Sequence, residues 1–305
     1  MKKLVKCALL VLIVFLTSFF SFNFASSVYS KQIIKDETIK GTIYITPHSH
    51  WDPWYRFSYK ENVELACTDI MNALSLISIY PEFRYTIDQM DILRYFWNHY
   101  PEYRSQLINA VNNKKVEITG GGVCEPDENI QQEEVLLQNF ISGINWLKET
   151  LNVSIKVMWQ TDSFAHAAEF PKIVKSLGID YLYLYRAYNI SDGGFIWEAN
   201  EGSEVLVWKL YYNHYPLSTL DFIKEMNLIV ENSQDNAKNY PNPSKKILWP
   251  IAQDFMPPHF NLVQMVNHWN TLYARQTGFK AIISTSSQHY LMNWNWIQKP
   301  YYIPI

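Results

Sequence analysis

Thr42-Ile43-Tyr44-Ile45-Thr46-Pro47-His48-Ser49-His50-Trp51-Asp52-Pro53 is the stretch from which the fold can be read. Its first five residues are β-branched or aromatic and predict a strand. Directly after it, His48, His50 and Asp52 fall at every second position. In extended backbone, residues two apart point the same way, so all three can face one centre. Imidazole and carboxylate together suit Zn²⁺, with a further carboxylate and another ligand or substrate completing the set. The plain alternative is a pair of ordinary surface or core histidines with an aspartate nearby.

The same grammar recurs outward from this point. Candidate strands are Thr42–Thr46, Arg84–Ile87, Val116–Thr119, Val157–Gln160, Tyr181–Tyr185, Val205–Leu210, Ile247–Pro250 and Ala281–Ser284. Amphipathic stretches between them, such as Val63–Ile77, Tyr103–Asn112, Gln132–Glu149 and Glu169–Leu177, predict helices. Within one of these, Val135, Leu136, Phe140, Ile144 and Leu147 form a single stripe at helical spacing. Repeated strand–helix alternation implies an α/β fold with a parallel sheet, open or closed into a barrel. No internal repeat or low-complexity linker is visible. Asn232–Ser244 is polar, carries Pro241 and Pro243, and reads as a loop inside the domain.

Polar residues gather just after these strands. Glu125 and Asp127 follow the third, Asp162 the fourth, Arg186 the fifth, and Asp254 the one that starts near Ile247. In parallel α/β folds the C-terminal strand ends converge on the active site, so the repetition marks a site where one acid alone would not. Asp162 and Asp254, brought from different strands, could act as the two carboxyls of glycoside cleavage. A close pair retains anomeric configuration and a wider one inverts it. Taken singly, either aspartate is equally a helix N-cap or a turn residue.

Composition narrows the partners. The 305 residues carry a net charge of −3, which gives no global electrostatic case for nucleic acid or an anionic membrane. Aromatic residues make up 16% of the chain, enough to raise two readings: a Tyr-rich core, or rings that stack on the C–H faces of sugars. At the N-terminus, Lys2, Lys3 and Lys6 flank an apolar run from Cys7 to Phe24, followed by Ala25, Ser26 and Ser27. Residues 1–30 therefore read as a cleaved secretory signal or an uncleaved anchor, and only the anchor would bring a membrane partner. The expected destination is the secretory pathway: the exterior, a lysosome or vacuole, or the Golgi lumen. Beyond that segment Cys67 and Cys124 permit one disulfide, and Asn152 and Asn189 head glycosylation sequons.

Four segments resemble the α-mannosidases of glycoside hydrolase family 38. Ile45–Pro53 is similar to the family's opening strand and metal motif, and Gly120–Asn129 to its Gly-Gly segment with an acidic turn. Met158–Ala167 resembles the nucleophile segment, and Asp254-Phe255 the step that carries the acid/base. They occur in family order between about residues 40 and 305. The resemblance implies a seven-stranded β/α barrel followed, in the family, by a helical bundle and β-domains. It also implies zinc held by His50, Asp52 and Asp162, with Asp162 as nucleophile and Asp254 as general acid, then base. Trp54, Phe164, Arg186 and Asp127 would line the site, His48 would support it, and the substrate would be a mannose-containing glycan or oligosaccharide.

The sequence departs from the family pattern in three places. Trp54 and Tyr55 stand where the family has Gly then Trp, and Ser163 and Ala165 stand where Pro and Gly are common. The family's fourth zinc ligand, a histidine beyond the barrel, has no counterpart among His214, His259, His268 and His289. A second chain, a water, or an inactive sugar-binding relative are the readings this leaves. A metal-dependent carbohydrate deacetylase on a similar barrel is the alternative enzyme.

Overall fold

In the computed structural model, residues 38–187, 192–211, 214–235 and 245–293 are described. The chain divides after Thr38, and the elements below belong to the unit that begins at Ile39. The expected signal or anchor and the Asn189 sequon lie outside the described residues. Among the described residues no helix is long and apolar enough to cross a membrane.

β1 (Gly41–Pro47) forms where the opening run predicts it, and it is buried along nearly its whole length. A strand covered on both faces need show no polar alternation, and Ile43, Tyr44, Ile45 and Thr46 are all buried. It lies between β8 (Lys246–Ile251) and β9 (Phe279–Ile283), parallel to both. β2 (Tyr85–Ile87) and β3 (Val116–Ile118) form a second parallel pair. β4 (Val157–Gln160), β5 (Tyr181–Leu184) and β7 (Glu204–Lys209) form a third parallel set. The α/β class with parallel strands is thus the observed one. The hydrogen-bonded ladders among the described residues remain three separate sheets and trace no closed ring.

Helices fill the crossovers: α1 (Tyr59–Ile79), α2 (Met90–His99), α3 (Arg104–Asn112), α4 (Glu133–Leu151) and α5 (Phe170–Ser176) precede α6 (Thr219–Asp235), α7 (Leu262–Leu272), the short α8 (Ala274–Thr277) and α9 (Ser286–Asn293). α9 ties the three sheets together through side chains. Ser286 and Ser287 donate from backbone and hydroxyl to the Glu117 carboxylate on β3. Trp159 on β4 donates to Ser286 Oγ at 3.2 Å, and the Tyr290 hydroxyl donates to Leu182 O on β5 at 2.6 Å. His289 packs edge-on against Tyr44 of β1 and Trp208 of β7. Glu117 meets the first turn of α9, where free N–H groups and the helix dipole favour a carboxylate.

Several expectations are corrected. β6 (Gly193–Glu198) pairs antiparallel with β7, so the third sheet is mixed. Its burial alternates strictly, with Phe195 and Trp197 inward, a period-two signal that its Gly-Gly start obscures. The expected loop from Asn232 begins instead as the last turn of α6, whose buried Phe222, Ile223, Met226 and Val230 carry the helical period; residues 236–244 lie outside the described residues. On α4 Val135 is exposed, and Gly143 joins Leu136, Phe140 and Leu147 on the buried stripe. A Cβ at Gly143 would stand 2.0 Å from the Gly121 carbonyl oxygen, so the helix lies directly on the Gly-Gly segment. Both Cys67, buried in α1, and Cys124, exposed after β3, are free thiols, and the permitted disulfide is not formed. Asn152, by contrast, is the exposed left-handed C-cap of α4, in a sequon open to solvent.

Candidate active site

The strand ends meet. β1 leads into His48, His50 and Asp52; β2 into Asp88 and Gln89; β3 into Gly120–Asp127; β4 into Asp162; β5 into Arg186; and β8 into Asp254. Gly120 makes part of this meeting possible. It adopts φ +73°, and a Cβ there would stand 2.4 Å from the Asp88 carbonyl oxygen. A cleft of about 440 Å³ opens above, lined among others by His50, Asp52, Trp54, Glu125, Asp127, Asp162 and Phe164.

One ligand atom each from His50, Asp52 and Asp162 lies within 4.8 Å of the others. His50 Nε2 is 3.3 Å from Asp52 Oδ1. Burial alone would push the imidazole pKa down, but the hydrogen bond to Asp52 and the charges of Glu125 and Asp88 outweigh it and hold His50 at about 10. The pocket therefore stabilises a positive charge beside His50, and one imidazole with two carboxylates is a donor set that suits Zn²⁺. Arg186 Nε binds Asp162 Oδ1, and a carboxylate so held keeps its second oxygen for another partner.

A deeper layer supports these residues. His48 is buried, 3.2 Å from Asp88, and its ring packs on Trp159. Burial favours neutral Asp88, yet the neighbouring histidines prevail and its pKa is lowered. His48, His50 and Asp88 also bring ligand atoms within 4.8 Å of one another, but His48 is fully enclosed and does not line the cleft.

The acidic turn grips the β4 segment. Glu125 accepts from the backbone N–H groups of Asp162 and Ser163, and Ser163 Oγ donates to Pro126 O. Glu128 is buried, lies 3.0 Å from His166 Nδ1 and accepts from Ala167 N. Burial is the main cause that raises Glu125, to about 7, and Glu128 as well. Sequence reasoning named Glu125 and Asp127 as strand-end acids but not this clamp, and it passed over Asp88 and Glu128. Each is a lone acid whose partner stands far along the chain, so spacing carries no signal of the pairing.

The remaining predicted residues fall as follows. Asp127 lines the cleft and accepts from Asn129 N. Phe164 lines it too, with the Arg186 guanidinium 4.2 Å from its ring centroid. Of the rings of Trp51, Trp54 and Tyr55, that of Trp51 is core: it donates to Asp69 at 2.9 Å and packs edge-on against Phe255. Trp54 and Tyr55 stand open in the cleft. Asp254 forms an isolated parallel bridge with His50, and Phe255 N donates to His50 O at 3.0 Å. Asp254 is half-buried beside the cleft but is not among its lining residues. His214, His259, His268 and His289 belong to neither ligand grouping found among the described residues.

Comparison with known proteins follows the same outline. Residues 40–295 match the N-terminal domain of the family 38 glycosyl hydrolases. The chain is 28% identical to alpha-mannosidase D of Dictyostelium discoideum over 195 residues, 58% of this chain and 16% of that protein. It is 27% identical to alpha-mannosidase 2C1 of Homo sapiens over 180 residues, 57% of this chain and 17% of that protein. The chain thus spans about a sixth of the length of these relatives. In fold it is similar to an alpha-mannosidase from Enterococcus faecalis, with a TM-score of 0.73 at 18% identity, covering 86% of this chain and 30% of that one. A polysaccharide deacetylase described as putative, from Mycobacterium smegmatis, is also similar in fold, with a TM-score of 0.61 at 11% identity, covering 90% of this chain and 98% of that one.

Proposed function

The chain belongs to the family 38 glycosyl hydrolases, and from that premise we propose that it hydrolyses α-mannosidic bonds in glycans or oligosaccharides with retention of configuration, using zinc. The observation that carries this reading is the approach of His50, Asp52 and Asp162 to within 4.8 Å at the cleft, with Arg186 bound to Asp162. His50, Asp52 and Asp162 would hold the ion. The fourth position falls to substrate, to water or to a second chain. Zinc, when bound, would orient adjacent sugar hydroxyls and favour ring distortion toward the oxocarbenium-like state.

The protein's own groups carry the steps. The Asp162 carboxylate attacks the anomeric carbon while the bond to the leaving oxygen breaks and Asp254 gives that oxygen its proton. Asp254 then takes a proton from water, the water oxygen attacks the same carbon, and Asp162 is released. The clamp from Glu125 fixes the backbone from which Asp162 projects, so the nucleophile meets the sugar with its orientation already set. Phe164 and Asp127 form the walls. The strands are taken to curve into the family's seven-stranded barrel; the contacts of α9 with all three sheets support this. The basic and apolar N-terminus supports entry into the secretory route.

A second reading, a metal-dependent carbohydrate deacetylase, would draw on the same His50 and Asp52 at the cleft. A slow fluorinated mannosyl fluoride separates the two. A mannosyl adduct on the peptide that contains Asp162 supports the glycosidase. Deacetylation of a sugar with no adduct and no release of mannose would overturn it.

A further inference from the structure

The loop between the metal motif and α1 displays three aromatic side chains to solvent: Trp54 is 81% exposed, Tyr55 58% and Phe57 53%. Exposed tryptophan forgoes a large gain from burial, so a loop built to keep one outside asks for a reason. This loop is built. Asn62 of α1 is fully buried, and its Nδ2 donates to the carbonyls of Pro53, Tyr55 and Phe57 at 3.1, 2.8 and 3.3 Å. Ser58 and Glu61 close a capping box at the start of α1, which fixes where the loop ends. The Arg56 guanidinium sits 5.5 Å from the Tyr55 ring centroid and 4.9 Å from that of Phe255.

Trp54 itself rests on Tyr59, with ring centroids 4.8 Å apart and planes 28° from parallel. Its exposure shows that the second face is open. A ring braced on one side loses little freedom when a ligand covers the other. Trp54 lines the same cleft as Asp52, two residues away, and Phe164 stands in that lining as well.

We propose that Trp54 is the platform of a second sugar subsite, so that the chain acts on α-linked manno-oligosaccharides in preference to single mannosides. The inference rests on the α-mannosidase reading and deepens it. A pyranose fits this surface because it stacks its C–H face on the ring and turns its hydroxyls toward the carboxylates nearby. An apolar protein face does not, since closing the cleft over Trp54 would also desolvate the carboxylates that line it.

The test compares α-mannotriose with methyl α-mannoside on the full chain, wild type beside Trp54→Ala and Trp54→Phe. Loss of one stacking contact predicts that Trp54→Ala lowers kcat/KM for the trisaccharide about tenfold more than for the monosaccharide, chiefly through KM. Trp54→Phe recovers most of the difference. Equal losses on both sugars, or no loss on either, overturn the subsite. If wild type cleaves neither sugar, the hydrolytic reading fails on its own, and calorimetry with mannotriose decides the subsite. Binding that weakens about tenfold in Trp54→Ala supports it, and absent or unchanged binding overturns it.

Discussion

Asp162 and Asp254 both follow a strand, yet the molecule holds the two regions around them by different means. The Asp162 segment lies in a mesh of side chains. Glu125 accepts its backbone N–H and that of Ser163, Glu128 holds His166 and Ala167, and Arg186 binds the carboxylate itself. Around Asp254 the strand register can be followed. The register that pairs Pro47 with Ile251 continues to a bridge between His50 and Asp254, and Phe255, at φ 60°, packs on Trp51. A nucleophile must be oriented to a fraction of an ångström, and many fixed groups achieve that. The comparison predicts that the Asp162 region fails when the side chains that grip it are removed.

The largest expected effect is at Asp162, the proposed nucleophile. Asp162→Asn should lower hydrolysis of an aryl α-mannoside by about 10⁴-fold, with the circular dichroism spectrum of the folded protein unchanged. Asp254→Asn should cost less, about 10²–10³-fold on a poor leaving group. That second loss should shrink on dinitrophenyl mannoside, whose departure needs no proton, while the loss at Asp162 should not. Equal rescue of both variants would dissolve the distinction between them.

Next is the clamp. Glu125→Ala removes the acceptor shared by two backbone donors and should destabilise the chain by about 1–3 kcal/mol in urea unfolding. It should also lower kcat about tenfold or more through misplacement of Asp162. Glu125→Gln, which keeps an acceptor oxygen, should recover part of both effects.

The smallest effect probes the Asp254 side through Asp69, the acceptor beneath Trp51. Burial raises the Asp69 pKa from 3.8 to about 7, against the hydrogen bond from Trp51. A carboxyl whose folded pKa lies above its unfolded value contributes stability that is fully present below about pH 4 and is lost as pH rises through about 7. Wild type should therefore lose more stability than Asp69→Asn between pH 4 and pH 8, measured by urea unfolding. Parallel pH profiles for the two proteins would show that Asp69 is not the group responsible.

The sequence made the Asp162 region far more legible than its surroundings. β4 spans Val157–Gln160 as the apolar run predicts, and the metal-type triad falls where strand-end logic puts it. Local patterns suffice there because each of these residues directly follows a strand that its own segment predicts. The supports do not work that way. His48 meets Asp88 40 positions on, Glu125 meets Asp162 37 positions on, and Asn62 reaches back to three carbonyls. Such pairs depend on which strand ends and loops become neighbours, and that is settled by packing. Gly143 was unreadable for the same reason: its value lies in how closely α4 approaches Gly121.

The central claim, that His50, Asp52 and Asp162 form a metal-dependent mannosidase centre, is tested most directly by following aryl α-mannoside hydrolysis by the purified chain through chelation and re-addition of zinc. Activity that disappears with chelator and returns with zinc, in protein that stays folded throughout, is the predicted result. Hydrolysis that survives complete removal of metal, or folded zinc-loaded protein that releases no mannose, would contradict it.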